Sequence, residues 1–132
     1  MNQLTPYLFF SGRCAEALDY YSSIFGGEII SKQLFSEAPE TIQGIEPSWI
    51  MHADFSCDYF KLMMSDGLKE SERDGPIALS VVMHNRSVQA EIFESLADGG
   101  KVIMPLTDTF WGAHFGQVVD RFGIRWMLHS QE

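Results

Sequence analysis

The chain has 132 residues, 45% of them hydrophobic, and sets nine Lys and Arg against 18 Asp and Glu for a net charge of -9. This length suits one domain with a real core, and the composition excludes wholesale disorder. The negative charge argues against nucleic acid and anionic membrane surfaces as partners, and no run of about eighteen apolar residues is present to cross a bilayer.

The opening Met1-Asn2-Gln3-Leu4-Thr5-Pro6 has neither basic nor apolar secretory character. Residues 4–11, LTPYLFFS, read as a strand entered through Pro6. Residues 14–25 place Ala17, Leu18, Tyr21, Ile24 and Phe25 at helical spacing, and Gly26-Gly27 ends that helix. Residues 28–35 read as a second strand and 36–48 as an acidic loop with two prolines. Two more strands follow, 49–56 (WIMHADFS) and 59–65 (YFKLMMS). The polar stretch 66–75 closes the first half. The pattern then restarts. Residues 76–83 read as a strand, and 85–98 as a helix with Val88, Ile92, Phe93, Leu96 and Ala97 on one stripe, ended by Gly99-Gly100. Strands at 101–104, 110–120 and 124–129 complete the chain, with 105–109 as a loop. The two cysteines, Cys14 and Cys57, form no CxxC pair, and a cytoplasmic location is expected.

These elements repeat in order. Pro6 pairs with Pro76 at an offset of 70, Gly26-Gly27 with Gly99-Gly100 at 73, and Leu62-Met63-Met64 with Trp126-Met127-Leu128 at 64. The expected fold is therefore α+β: one domain over 1–132 of two βαβββ modules, about 1–67 and 76–130. Together they form one cupped mixed sheet with helices outside.

The run Pro6-Tyr7-Leu8-Phe9-Phe10, the helix with Ala17 and Tyr20-Tyr21, and Ile24-Phe25-Gly26-Gly27-Glu28 carry a resemblance. So do Met51-His52-Ala53 and Leu62-Met63-Met64-Ser65-Asp66. The most specific stretch is Gly99-Gly100-Lys101-Val102-Ile103-Met104-Pro105-Leu106, then Thr109-Phe110-Trp111-Gly112, Phe115-Gly116, Asp120 and Phe122-Gly123-Ile124-Arg125-Trp126-Met127. Over nearly its whole length the chain resembles the PhnB-like branch of the vicinal oxygen chelate superfamily, which holds glyoxalase, bleomycin-resistance and fosfomycin-resistance proteins. The resemblance implies the glyoxalase/bleomycin-resistance fold and a homodimer. Members of the branch are often labelled after a ubiquinone-pathway methyltransferase. No glycine-rich strand-to-helix loop supports a nucleotide-like cofactor here, because both glycine pairs follow helices.

Superfamily enzymes hold one divalent metal through His, Glu or Gln on the first and last strands of each module. By resemblance those places fall near Tyr7-Leu8 and Ile77-Ala78, and at Met63 and Met127. None is a His, Glu or Gln, and a thioether is a poor ligand for a hard divalent ion. No metal and no cofactor is therefore expected. His52 and Asp54 share one strand face and stand either as two ligands of another metal site or as a hydrogen-bonded pair. The cup is then lined by Phe9, Met63, Trp111, Phe115, Trp126 and Met127, with His52 and His114 as polar candidates. Such a lining suits a small apolar or planar molecule. Two readings of function stand: a small-molecule binding or sequestering module, and a superfamily enzyme (lyase, transferase or oxygenase type) with a rebuilt or metal-independent active site.

Overall fold

Each glycine pair ends a helix and feeds a strand that runs along the edge of a four-stranded sheet. The computed structural model describes residues 3–70 and 72–131, and the chain divides into two units, Met1–Ser71 and Glu72–Glu132. Unit 1 holds β1 (Tyr7–Phe10), α1 (Cys14–Phe25), β2 (Glu28–Leu34), a short 3-10 turn (Phe35–Glu37), β3 (Ile50–Ser56) and β4 (Lys61–Asp66). Unit 2 holds β5 (Ala78–Met83), α2 (Arg86–Ala97), β6 (Lys101–Asp108), β7 (His114–Val119) and β8 (Arg125–Ser130). The strand orders are β1-β4-β3-β2 and β5-β8-β7-β6. In each sheet the first strand lies parallel to the last, and the other pairs are antiparallel. These are two βαβββ modules, the architecture of the glyoxalase/bleomycin-resistance fold.

The second glycine of each pair has a steric cause. A Cβ on Gly27 would sit 2.2 Å from the Ser56 carbonyl oxygen, and one on Gly100 would sit 2.2 Å from that of Val119. Only hydrogen fits where the chain leaves its helix and passes under the neighbouring strand. Helix α1 buries Cys14, Ala17, Leu18, Tyr20, Tyr21 and Phe25. It lacks a side-chain cap of its own. Instead the buried Asp66, at the end of β4, accepts from the backbone N–H groups of Gly12 (2.8 Å), Cys14 (3.0 Å) and Ile50 (3.0 Å). This one carboxylate ties the helix start to two strands. Helix α2 starts more conventionally, with Asn85 Oδ1 accepting from Val88 N–H at 3.0 Å.

Three expectations need correction. Strand β6 continues through Pro105 to Asp108, where a loop was expected. It is an edge strand with register shifts between Met104 and Thr107, so a proline without an N–H is tolerated there. Phe110 and Trp111 accordingly lie in the turn before β7 rather than within it. Finally, Tyr7 registers with Met63 and Ser80 with Met127. The counterpart of Tyr7 is thus Ser80, at the same offset as the glycine pairs, and Pro6 does not correspond to Pro76.

Candidate functional site

Strand alternation sorts the candidate residues onto two faces. In unit 1, Leu8, Phe10, Ala53, Phe55, Leu62 and Met64 are buried. Their face meets the helix, through Phe55 and Phe25 packed on either side of Phe60. The opposite face carries Tyr7, Phe9, His52, Asp54 and Met63, by the pairings Tyr7–Met63 and Asp54–Met63. Phe9 is 48% exposed, and its ring lies 4.8 Å from that of Tyr7. Phe9, His52 and Met63 therefore meet on one face, as expected. A cavity of about 350 Å³ opens next to Met63, lined in part by Gln3, Thr5, Ile30 and Asp54, with Phe9 and His52 outside its lining.

The polar groups of this face form a chain. Tyr7 Oη lies 3.1 Å from His52 Nδ1, and His52 Nε2 lies 3.2 Å from Asp54 Oδ2. Ser31 Oγ donates to the same Asp54 oxygen at 2.6 Å. The Ser31 hydroxyl above all, with His52 beside it, holds the Asp54 carboxyl below the usual carboxylate range. The tautomer with its proton on Nε2 donates to the Asp54 carboxylate and leaves Nδ1 to accept from the Tyr7 hydroxyl. His52 and Asp54 form a hydrogen-bonded pair.

In unit 2 the candidates separate. Phe115 pairs with His129 and Gln117 with Met127, so these four share the face away from the helix. The Phe115 ring meets that of His129 at a tilt at 4.5 Å and Trp111 edge-on at 6.1 Å. Trp111 remains 51% exposed, whereas Phe115 is only 4% exposed between its neighbours. Trp126 does not join them. It points to the helix face, is fully buried, and donates its indole N–H to Asp120 Oδ2 at 2.9 Å. An aromatic residue next to Met127 in sequence lies on the other side of the sheet. His114 alternates with Phe115 and leaves the aromatic row too. Its carbonyl accepts from Gln89 of α2 (2.9 Å), and its Nδ1 binds Asp108 Oδ1 at 3.0 Å. That bond, with Arg86 at 2.9 Å, holds Asp108 below the usual carboxylate range. His129 also belongs to the row, opposite Phe115. Tyr7, Ser31 and His129 are the members that the sequence pattern did not single out.

The metal that the resemblance implies does not fit the groups present. Tyr7 stands beside Met63 and Ser80 beside Met127. A phenol with a thioether in unit 1, and a hydroxyl with a thioether in unit 2, are each poor ligands for a hard divalent ion. Among the described residues no group of three or more His, Cys, Asp or Glu is placed to share a metal.

Comparisons with known proteins follow the whole chain. Residues 2–129 match a family model described as 3-demethylubiquinone-9 3-methyltransferase. Protein YjdN of Escherichia coli (strain K12) is 33% identical over 138 residues, covering 96% of this chain and 93% of that protein. The crystal structure of protein PA1353 from Pseudomonas aeruginosa is 35% identical and superposes with a TM-score of 0.87 over 99% of this chain and 98% of that one. The PhnB protein from Bacillus cereus is 25% identical, with a TM-score of 0.80 over 96% and 98% of the two chains.

Proposed function

Since the chain belongs to the PhnB-like family, whose model bears the 3-demethylubiquinone-9 3-methyltransferase description, within the vicinal oxygen chelate superfamily, we propose that it binds a small, planar, largely apolar molecule. The observation that carries this reading is the aromatic row of unit 2. Trp111, Phe115 and His129 follow one another through an edge-on and a tilted ring contact beside Met127, with half of Trp111 left uncovered. Ring faces and a thioether attract a flat, polarizable partner, and few polar groups compete. Methyl transfer is not part of the proposal, since both glycine pairs serve helix ends and strand crossings.

Nile red, a neutral planar dye, tests the reading. Saturable binding is expected, with Trp111 emission quenched and affinity at least fivefold weaker in Trp111→Ala. Binding that is absent, or indifferent to Trp111→Ala, overturns it. The protein is further read as a cytoplasmic homodimer. Two free cysteines fit a reducing compartment. The edge strand β6 exposes Val102, Ile103 and Met104, an apolar surface suited to a second copy. A monomer in light scattering at micromolar concentration would contradict the dimer.

A further inference from the structure

The hydrogen-bonded chain of unit 1 goes beyond ligand binding. Four side chains from three strands take part: Ser31 from β2, His52 and Asp54 from β3, and Tyr7 from β1. Tyr7 reaches over the β4 position held by Met63 to place its hydroxyl 3.1 Å from His52. A hydroxyl, a base within hydrogen-bond reach of it, and a carboxylate fixing the base from its far nitrogen are the parts that activate a nucleophile. A serine hydroxyl then fixes the carboxylate. The neighbouring cavity reaches this hydrogen-bonded chain at Asp54 and Met63, while Tyr7 and His52 lie outside its lining, so an acyl compound would meet Tyr7 Oη from the open sheet face. The chain lies outside the buried core. It sits on the face away from the helix, with the His52 and Asp54 side chains 31% and 35% exposed.

We propose that Tyr7, His52 and Asp54 form a metal-independent acyl-accepting site, in which the Tyr7 phenol attacks the carbonyl carbon of a small activated acyl compound. Tyr7 Oη forms the new bond to carbon as its proton passes to His52 Nδ1. The bond from carbon to the leaving group breaks, and the leaving group takes that proton. Asp54 stabilises the transient imidazolium, and Ser31 positions Asp54. Atoms and electrons balance without an oxidant or a second reactant. The site lies wholly in unit 1, so it does not depend on the planar-ligand reading of unit 2.

N-acetylimidazole supplies the test, because it acetylates tyrosine hydroxyls and releases imidazole. The whole protein is treated at neutral pH, and each tyrosine is followed by peptide mass spectrometry. Tyr59, also partly exposed, is the internal reference. Tyr7 is expected to react at least tenfold faster than Tyr59. His52→Ala and His52→Gln should bring Tyr7 down to the Tyr59 rate, and Asp54→Asn should slow it severalfold, with Tyr59 unchanged throughout. Added 4-methylimidazole should restore Tyr7 acetylation in His52→Ala relative to Tyr59, which a structural role for His52 would not produce. The proposal is overturned if Tyr7 reacts no faster than Tyr59. It is equally overturned if His52→Gln, with native near-ultraviolet circular dichroism, leaves the Tyr7 rate unchanged.

Discussion

Units 1 and 2 use the same strands in the same order, and each leaves one sheet face uncovered by its helix. Unit 1 fills that face with a polar chain, Tyr7–His52–Asp54–Ser31. Unit 2 fills it with an aromatic row, Trp111–Phe115–His129. The helix faces differ as well. Unit 1 buries Asp66 at the end of β4 to hold three backbone N–H groups. Unit 2 buries Asp120 in the β7–β8 turn, where it accepts from Phe122 and Ile124 N–H and from Trp126. The scaffold tolerates the exchange because alternation separates the two faces. What a residue does for folding and what it offers a ligand are written at neighbouring positions.

The strongest way to break this comparison is to truncate the helix faces. Trp126→Ala should cost about 3–5 kcal/mol in urea unfolding, since it empties a fully buried indole site and strips Asp120 of a donor. Asp66→Ala comes next, at about 3 kcal/mol, because three backbone donors lose one acceptor. Met127→Ala, on the other face, should cost less than either in the same assay, since its side chain is only partly buried. A larger loss for Met127→Ala than for Trp126→Ala would refute the assignment of faces.

Smaller effects sharpen the contrast. Burial pushes the Cys14 thiol up to about 12, with Asp66 adding to the shift. Cys14 should therefore resist iodoacetamide at pH 8 in the native protein while Cys57 is labelled, as read by mass spectrometry. The smallest effect belongs to Asp54. Its pKa is lower folded than unfolded, so its contribution to stability is present above the ordinary carboxylate range, near pH 4. That contribution is lost as pH falls through the lowered value. Asp54→Asn should flatten the decline of Tm below about pH 4, and an unaltered profile would show that Ser31 and His52 hold Asp54 weakly in solution.

Much of the fold was legible. The apolar spacing of residues 14–25 matches α1, and the glycine pairs mark both helix ends. Legibility fails where tertiary contact decides. Pro105 read as a loop because only an edge strand accepts it. The offset of Pro76 misled because β5 begins at Ala78, two pairs ahead of Ser80, whereas β1 begins at Tyr7 itself, and a strand register is set by its partner. At the site, Phe9, His52, Met63, Trp111, Phe115 and Met127 lie on the faces away from the helices. Trp126 and His114 do not, since one step along a strand reverses the side chain. Tyr7 and Ser31 were hidden because their partners lie 45 and 23 residues away. The period-two pattern of β3, which puts His52 and Asp54 on one side, was the available clue.

Pro105 has one more consequence. An edge strand with exposed Val102, Ile103 and Met104 would ordinarily invite another molecule's strand to continue the sheet, the first step toward fibrils. A residue without an N–H, set among register shifts, spoils that template. Pro105 thus works against continuation of the sheet past β6, as a gatekeeper residue in an apolar edge does.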